Sequence, residues 1–321
     1  MWDEVPEESG VLIIPSAEVE DRNRVHHLIL AERFGIFEDL ALRFSPAAPS
    51  IDKMGRPHLR LSGEEIAREV HEAGGLIGPA HAFTPWTSLY ASFDLARDCY
   101  GNERPDLLEL GLSADTSYGA GISELRGIPF LTNSDAHSPS PAKLGREFNR
   151  LEVGAPSVKA ILEAVRIGGI AMNAGFFPEE GKYNRTACTR CYRQFTLEEA
   201  TGFLWRCPDD GGLLKKGVAD RAKELSDSPV EPRPPYLHLI PLLEIIQRVL
   251  GTSSPTTKRC TALYTRFLET LGDEIGILVD VPVADLQDIN EGVADAVGRL
   301  RTGRVHLFPG GGGRYGRFSF D

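Results

Sequence analysis

The sequence contains little cysteine, no overall basic excess and no long apolar run. Five cysteines in 321 residues are too few for a secreted disulfide scaffold, and three of them lie between positions 188 and 207, which favours metal binding. No stretch approaches the roughly 18 apolar residues of a membrane span, and the first residues lack the basic and apolar regions of a signal peptide. These absences predict a cytoplasmic protein without membrane contact.

Charge is distributed unevenly along the chain. The formal net charge of −11 argues against a uniformly basic surface. Basic residues nevertheless exceed acidic ones by nine to five between positions 181 and 223, and positions 299–321 contain five arginines and one aspartate. Both segments suit contact with phosphates. No Gly-x-x-x-x-Gly-Lys-Ser/Thr motif occurs, so a nucleotide-driven motor is not expected.

Short apolar runs alternate with helical patterns over about 170 residues. Runs typical of buried strands occupy 11–14, 25–31, 76–80, 107–110, 129–132, 148–153 and 170–173. Helices are predicted at 31–44, 62–71 and 157–166, the second opened by a capping box of Ser62 and Glu65. This alternation predicts a parallel sheet, in either a doubly wound fold or a barrel.

The pattern changes near residue 180. A stretch rich in proline and charge at 227–235 is typical of a linker. Helices are predicted after it at 237–251, 261–272 and 286–300, whereas 275–283 is strand-like. We therefore predict an α/β domain at 1–180, a cysteine-containing segment at 181–217 and a small α+β region at 218–321.

Potential metal ligands follow several of the predicted strands. Hydrolysis of a phosphodiester near neutral pH needs a cation to acidify a water and to neutralise phosphoryl charge, and His, Asp and Glu are suitable ligands. The residues concerned are Glu18, His26, His27, His81, Asp135 and His137. On extended backbone the Asp135 and His137 side chains would point to one face. Any one of these residues alone could be an ordinary core or surface residue, so the prediction depends on the set.

The cysteine segment has the spacing of a zinc ribbon. Cys188 and Cys191 form one Cys-x-x-Cys knuckle, and Cys207 with Asp210 occupies the position of the second. Three thiolates and one carboxylate are an acceptable ligand set for one structural zinc, although the carboxylate is a harder ligand than the thiolate of an all-cysteine site. The alternative is a lost site in which Cys188 and Cys191 remain as a residual or redox pair.

Several motifs together resemble the endonuclease Q family of the PHP phosphoesterase superfamily. They are Gly78-Pro-Ala-His-Ala-Phe-Thr-Pro-Trp86, Thr132-Asn-Ser-Asp-Ala-His-Ser-Pro139, Lys143-Leu-Gly-Arg-Glu147, Glu180-Gly-Lys-Tyr183, Pro234-Pro-Tyr-Leu-His-Leu-Ile-Pro241 and Pro309-Gly-Gly-Gly-Gly-Arg-Tyr-Gly316. With the cysteine segment, the resemblance covers nearly the whole chain.

The resemblance implies an α/β fold: a distorted (β/α)7 PHP barrel, followed by the zinc ribbon and the small α+β region. The implied ligands of up to three divalent metals (zinc, with magnesium or manganese as alternatives) are Glu18, His27, His81, Asp135 and His137. His26 is expected to face away from them, and His81, Asp135 and His137 are the implied catalytic residues. The superfamily's opening His-x-His motif has no counterpart, which would leave the barrel without its first strand; a mis-set start is favoured over a fragment or an inactive relative.

The implied activity is nicking of DNA on the 5′ side of deaminated bases or abasic sites, with such DNA as the partner. Inspection of a base inside a duplex requires flipping it into a pocket. Candidate contacts to the nucleic acid are Trp86, Tyr90, Lys143, Arg146, Lys182, Arg190, Arg193, Lys215, Lys216, Arg314 and Arg317. The amides of Gly310–Gly313 are also candidates for phosphate contact.

Two other functions remain open at this point. The barrel could hydrolyse a small phosphate ester, although the ribbon and the basic C-terminal segment favour a nucleic acid. The chain could also be a non-catalytic DNA- or RNA-binding module, if the absence of His-x-His abolishes metal binding.

Overall fold

The computed structural model describes residues 11–48, 51–53, 55–137 and 145–320. The strands are β1 (Ser16–Glu20), β2 (His26–Leu30), β3 (Leu76–Pro79), β4 (Leu108–Glu109), β5 (Phe130–Leu131), β6 (Phe148–Leu151), β7 (Ile170–Gly175), β8 (Ala187–Cys188), β9 (Leu214–Lys215), β10 (Tyr236–His238), β11 (His306–Phe308) and β12 (Arg317–Ser319).

The helices begin with α1 (Phe34–Phe44), α2 (Gly63–Glu72), α3 (Leu89–Ser92), α4 (Ala96–Tyr100), α5 (Thr116–Gly119) and α6 (Val158–Arg166). They continue with α7 (Leu197–Gly202), α8 (Val218–Leu225), α9 (Leu242–Leu250), α10 (Lys258–Leu271), α11 (Glu274–Val279), α12 (Val283–Gln287) and α13 (Glu291–Arg301). Single 3₁₀ turns occupy 51–53, 123–125 and 178–180. None of the helices in the described ranges is long and apolar enough to cross a bilayer.

The strands form a mixed α/β fold. Strands β1, β2 and β3 form an antiparallel sheet, β4 pairs with β5 in parallel, and β7 pairs with β6 in antiparallel and with β10 in parallel orientation. The prediction of a parallel sheet is therefore wrong for the first three strands. Among the described residues the strands make five separate sheets and no closed barrel.

Two predicted strands are absent at their expected places. Residues 11–14 are not a strand, and Val11 is 63% exposed; pairing begins at Ser16, directly after Pro15, whose nitrogen cannot donate to a ladder. Residues 274–279 form α11 because Asp273 caps the helix by accepting from the Gly276 amide at 2.9 Å. The β-branched residues that favoured a strand there are buried in a helical core instead.

Four hydrophobic clusters stabilise the described part of the chain. The largest combines residues from β1 to β5 with Val218 and Ala222 of α8. The second is formed by α9–α13 together with Ala174 of β7 and Phe318 of β12. The third is formed by Leu76, Leu107, Leu131, Val165 and Ile170. The fourth lies around Cys188 and Cys207. Long-range packing thus crosses the predicted limits at 180 and 217, and the three-part division stays a prediction.

Helix α2 begins as its sequence predicts. The Ser62 side chain accepts from the Glu65 amide at 3.2 Å, and the Glu65 carboxylate accepts from the Ser62 amide at 2.7 Å. This reciprocal capping satisfies two amides that would otherwise lack partners at the start of the helix. The capping-box prediction is confirmed.

We expect Ser62→Ala to lower the free energy of unfolding by about 1 kcal/mol, because the Glu65 amide loses its acceptor. Urea unfolding followed by circular dichroism measures this. Ser92→Ala is the control, since Ser92 is exposed and makes a single 3.5 Å contact with the Asn23 carbonyl. An equal loss in both variants would contradict the capping role.

Glu147 is a carboxyl buried in the middle of the fold. It is 4% exposed, and one of its oxygens accepts from the Phe176 amide at 3.2 Å. A Cβ on Gly175 of β7 would lie 2.6 Å from that same oxygen and 2.5 Å from the Tyr236 hydroxyl, so only glycine fits between them. Burial raises the pKa of Glu147 to about 8.

This raised pKa predicts a pH-dependent stability. The unfolded carboxyl ionises near pH 4.5, whereas the folded one keeps its proton until about 8. The stabilising contribution is therefore fully present below pH 4.5, declines above it and is lost as the pH rises through about 8. Glu147→Gln should flatten the fall of the thermal midpoint between these limits. Glu163→Gln on exposed α6 is the control, and identical pH profiles for wild type and Glu147→Gln would contradict the argument.

Candidate metal and nucleic-acid site

The register of the β1–β2 hairpin determines which side chains meet. Glu20 lies opposite His26, and Glu18 is two residues away on the same face, whereas His27 lies opposite Val19 on the other face. The structure therefore brings His26, and not His27, next to Glu18. The prediction that His27 joins this cluster, with His26 facing away, is corrected: the two histidines exchange places.

Glu18, His26 and His81 converge at the end of this sheet. His26 Nδ1 lies 3.0 Å from the Glu18 carboxylate and 3.1 Å from His81 Nε2, and Glu18 lies 3.8 Å from His81 Nε2. Their ligand atoms all fall within 4.8 Å of one another. His81 follows β3 directly, as predicted, so three separate stretches of sequence contribute one ligand-type side chain each.

A second carboxylate supports the cluster from behind. Glu20 accepts from His26 Nε2 at 3.1 Å and also contacts His58 Nδ1 at 3.0 Å. A carboxylate on the far nitrogen of an imidazole fixes its tautomer and orientation, as is usual for metal-binding histidines. Glu20 was missed in the sequence, and His26 was considered there but was expected to face away; the spacing of Glu18 and Glu20 on one strand face was the available signal.

The electrostatics of the cluster favour a cation. Burial acts to raise the pKa of Glu18, but the hydrogen bond from His26 and the attraction of His81 outweigh it and lower this pKa to about 2. Burial lowers the pKa of His81, although the nearby Glu18 acts to raise it. The lowered pKa keeps the His81 imidazole neutral. His81 Nδ1 is buried and has no hydrogen-bond partner in the part of the chain that the structure describes. An anionic carboxylate at Glu18 and a neutral imidazole at His81 are the protonation states that metal binding requires.

Glu109, at the end of β4, is a further acidic residue that the sequence did not reveal. It is 7% exposed and accepts from the His81 amide at 2.8 Å and from the Asn133 side chain at 2.6 Å. Burial raises its pKa to about 7, although both hydrogen bonds oppose this shift. Because Glu109 lies between Leu108 and Leu110, the sequence showed it only as a single polar residue within a buried strand.

These residues line a cavity of about 370 Å³. Its walls include His26, Arg56, His81, Thr87, Glu109, Asn133, Asp135, Lys182, Tyr183 and Tyr315. Three of the lining residues, His81, Thr87 and Asp135, have positive φ angles of 33°, 52° and 44°. Such backbone strain costs about 1–3 kcal/mol per residue and persists mainly where function requires it.

Asp135 is part of the wall of this cavity, and His137 lies next to it. His137 Nε2 is 3.1 Å from the Asp135 carboxylate, and the two side chains are 85% and 53% exposed respectively. Asp135 borders both the first cavity and an adjoining one of about 520 Å³, whereas His137 borders only the second. The pair is adjacent as expected, but the left-handed backbone at Asp135 replaces the expected extended one.

Cys188, Cys191, Cys207 and Asp210 are brought together, with ligand atoms within 4.8 Å of one another. The Cys191 and Cys207 sulfurs are 3.7 Å apart, and the Cys188 sulfur lies 3.3 Å from Asp210 Oδ1. The short antiparallel pair β8–β9 supports this cluster. All four residues that the sequence singled out therefore meet at one point.

Lysine–aromatic pairs line the approach to the cavity. Lys215 Nζ lies 3.4 Å from the centroid of the Trp86 ring, and Lys182 Nζ lies 4.5 Å from that of Tyr315. Trp86 is 47% and Tyr315 62% exposed, so both rings can still offer a face to a base. These pairs link the loop after β3 with the cysteine segment and the C-terminal segment.

The other predicted nucleic-acid contacts are differently placed. Tyr90 is buried and donates to Glu124 at 3.0 Å, and buried Arg146 donates to the Ser134 carbonyl. Arg193 and Lys216 pair with Asp209 and Glu224. Arg190 reaches the Asp210 carbonyl, Arg314 and Arg317 lie over the rings of Tyr192 and Phe308, and Lys143 falls outside the described residues.

The glycine run near the C-terminus packs internally. The amides of Gly310, Gly311 and Gly313 donate to the carbonyls of Glu179, Arg314 and Lys182 at 2.8–3.1 Å. A Cβ on Gly312 would lie 2.2 Å from the Cys188 carbonyl oxygen. The run joins the C-terminal segment to the cysteine segment, so the expectation that these amides are available to phosphates is corrected.

Comparison with known proteins gives several relatives. Residues 241–304 match the family model of the MJ0043 C-terminal domain. The chain is 46% identical over 248 residues to the uncharacterised protein MJ0043 of Methanocaldococcus jannaschii, covering 75% of this chain and 31% of that protein. It is 35% identical over 266 residues to the uncharacterised protein YqxK of Bacillus subtilis, covering 80% of this chain and 64% of that protein. The chain thus spans about a third and just under two thirds of the lengths of these two relatives.

Two solved structures share the fold. The lesion-specific endonuclease PfuEndoQ of Pyrococcus furiosus superposes with a TM-score of 0.90 at 46% identity, over 94% of this chain and 77% of that one. An endonuclease Q in complex with a 27-mer duplex substrate, which has an abasic lesion at the active site, gives a TM-score of 0.90 at 45% identity, over 95% and 78%. Identity of this size over most of both chains establishes that this chain belongs to the endonuclease Q family.

Proposed function

We propose that the chain is a metal-dependent DNA endonuclease of DNA repair, which nicks the phosphodiester on the 5′ side of deaminated bases or abasic sites. The observation that carries this proposal is the Glu18–His26–His81 cluster, whose two histidines line a cavity together with Asp135. The likeness to an endonuclease bound to duplex DNA with an abasic lesion supports the choice of substrate. A DNA substrate also favours a cytoplasmic location.

The residues of the cavity fit a divalent metal. Glu18, His26 and His81 would hold it, with Asp135 as a further ligand on the open side. When bound, the cation would acidify a water and neutralise charge on the phosphoryl oxygens. The sheets β1–β3 and β4–β5 with the helices around them are our proposed counterpart of the PHP barrel. Zinc, magnesium and manganese all accept these ligands.

The chain's own residues would orient the substrate and move protons. His81 and Asp135 would lie on either side of the phosphate, and a water would attack the phosphorus. His137, paired with Asp135, would donate a proton to the 3′ oxygen as its bond to phosphorus breaks. Glu109, whose pKa burial raises to about 7, would be only partly ionised near neutral pH and would place less negative charge near the phosphate than an ordinary carboxylate. Arg56, whose guanidinium lies 3.0 Å from Glu18, also borders the cavity and would balance its charge.

The cysteine cluster fits one structural zinc. With Zn–S bonds of about 2.3 Å and Zn–O bonds of about 2.1 Å, a tetrahedron has S–S edges of about 3.8 Å and S–O edges of about 3.6 Å. The Cys191–Cys207 separation of 3.7 Å and the Cys188–Asp210 separations of 3.3 and 3.7 Å agree with these edges. We therefore propose a zinc ribbon that presents Lys215 to the DNA.

We expect Asp135→Asn and His26→Gln to reduce nicking of a uracil-containing or abasic oligonucleotide by at least about 100-fold, because each removes a residue of the reacting cavity. Gel electrophoresis of end-labelled duplex measures this. His306→Gln is the control, since His306 is exposed on β11. Wild-type rates in Asp135→Asn would remove that residue from the mechanism.

Hydrolysis of a small phosphate ester is the second function to test. Wild-type turnover of a generic phosphomonoester, without nicking of either oligonucleotide, would favour it over the endonuclease.

We also expect Lys182→Ala to weaken DNA binding and to reduce the slope of log K against log salt by about 1, the value for one lost phosphate contact. Fluorescence anisotropy between 50 and 200 mM salt, a range over which such contacts weaken measurably, provides this slope. Lys159→Ala, on the exposed face of α6, removes the same charge elsewhere. Equal slopes for Lys182→Ala and wild type would place the phosphate path away from Lys182.

A further inference from the structure

The reverse face of β2 carries a second cluster of metal-binding side chains, formed by Asp21, His27 and Cys99. Their ligand atoms lie within 4.8 Å of one another, and the three residues are 0%, 0% and 4% exposed. The proposed endonuclease does not use this cluster, because its cavity lies on the opposite face, with His26.

The polar atoms of this cluster are only loosely paired. His27 Nε2 is 3.5 Å from Asp21 Oδ2, and the Cys99 sulfur is 4.0 Å from the same oxygen. His27 Nε2 has no hydrogen-bond partner within the described ranges. Leaving such a buried atom unsatisfied costs about 1–3 kcal/mol. The arrangement therefore lacks something that would satisfy the imidazole nitrogen.

A metal ion would satisfy it, and the spacings fit one. Around tetrahedral zinc, N–O edges are about 3.4 Å and S–O edges about 3.6 Å, close to the 3.5 and 4.0 Å observed. These distances are long for hydrogen bonds between the same groups. Small inward movements of Asp21 and Cys99 would bring all three ligand atoms to bonding distance, and a water would take the fourth tetrahedral position.

The surroundings prepare each side chain for this role. Tyr100 contacts His27 Nδ1 at 2.8 Å, which leaves Nε2 directed at the other two residues. Asp21 Oδ1 accepts from the Asn23 and Val25 amides, both at 2.8 Å, so Oδ2 remains for the cluster. Second-shell contacts of this kind fix the orientation of metal ligands.

Gly63 provides the space. A Cβ at this position would lie 2.6 Å from the Cys99 sulfur and 3.1 Å from His27 Cε1. Any other residue at the start of α2 would force these two side chains to move. The glycine thus permits the close approach of helix α2 to the cluster.

We propose that Asp21, His27 and Cys99 bind one structural zinc in the core. Zinc suits a set of thiolate, imidazole and carboxylate, and Cys99 would release its proton to solvent as the metal binds during folding. The ion would compensate the buried carboxylate and attach β2 to α4, which carries Cys99. His27 would then be a metal ligand at this site rather than at the reaction cavity.

The test compares Cys99→Ser with Cys260→Ser in the full chain, since Cys260 is the other buried cysteine outside the ribbon. Elemental analysis should give one zinc per chain less in Cys99→Ser than in wild type and no change in Cys260→Ser. In protein produced with Co²⁺, the thiolate-to-cobalt absorption should fall by roughly a quarter only in Cys99→Ser, because one of four coordinating thiolates is lost. Equal zinc content and equal absorption in wild type and Cys99→Ser would overturn the proposal.

A second measurement needs no variant and covers the case in which Cys99→Ser fails to fold. Crystals of the wild-type chain, measured at the zinc absorption edge, should give an anomalous peak between His27 Nε2 and the Cys99 sulfur. A map of the folded chain without density at that point would refute the site, whatever is found in the ribbon or in the reaction cavity. Nicking assays are not involved, so this outcome is independent of the proposed endonuclease.

Discussion

The register of one antiparallel hairpin governs the chemistry of this chain. Because strand side chains alternate between faces, pairing Glu20 with His26 puts Glu18, Glu20 and His26 on one side and His27 on the other. A shift of one residue would exchange the two histidines and disrupt both buried clusters at once. The adjacent β3 then adds His81 from the same edge of the sheet. The backbone pairing of β1 with β2 therefore decides which side chains can face the cavity, and the side-chain contacts follow from it.

Much of this arrangement was predictable, but the register was not. The positions of β2, β3 and α2 follow from apolar runs and from the Ser62–Glu65 capping signal, which are local properties of the sequence. The choice between His26 and His27 depends on a partner strand, and an apolar run at 11–14 pointed to a strand that does not form. Glu109 was missed for the same reason, since its role arises from contact with His81 and Asn133, each more than twenty residues away.

The convergence of Cys188, Cys191, Cys207 and Asp210 was easier to anticipate. Knuckle spacing brings Cys188 and Cys191 together through the local chain, so only the approach of Cys207 and Asp210 depends on long-range folding. The antiparallel β8–β9 pair provides that approach. The glycine run shows the opposite case: its composition suggested exposed amides, but tertiary packing uses three of them for hydrogen bonds to carbonyls. Composition alone does not reveal whether a flexible segment is solvated or packed.

The walls of the cavity come from segments that are far apart in sequence. His81 and Trp86 belong to the loop after β3, Lys182 and Tyr183 lie at the start of the cysteine segment, and Tyr315 follows the glycine run. The carbonyls of Glu179 and Lys182 are held by Gly310 and Gly313, and Lys215 beside the ribbon lies against Trp86. The α/β sheets therefore provide the candidate ligands, whereas the cysteine segment and the C-terminal segment contribute Lys182, Tyr183 and Tyr315 to the cavity wall. Because the backbone of 179–183 is held by the C-terminal segment, the site is a property of the whole chain rather than of its first 180 residues.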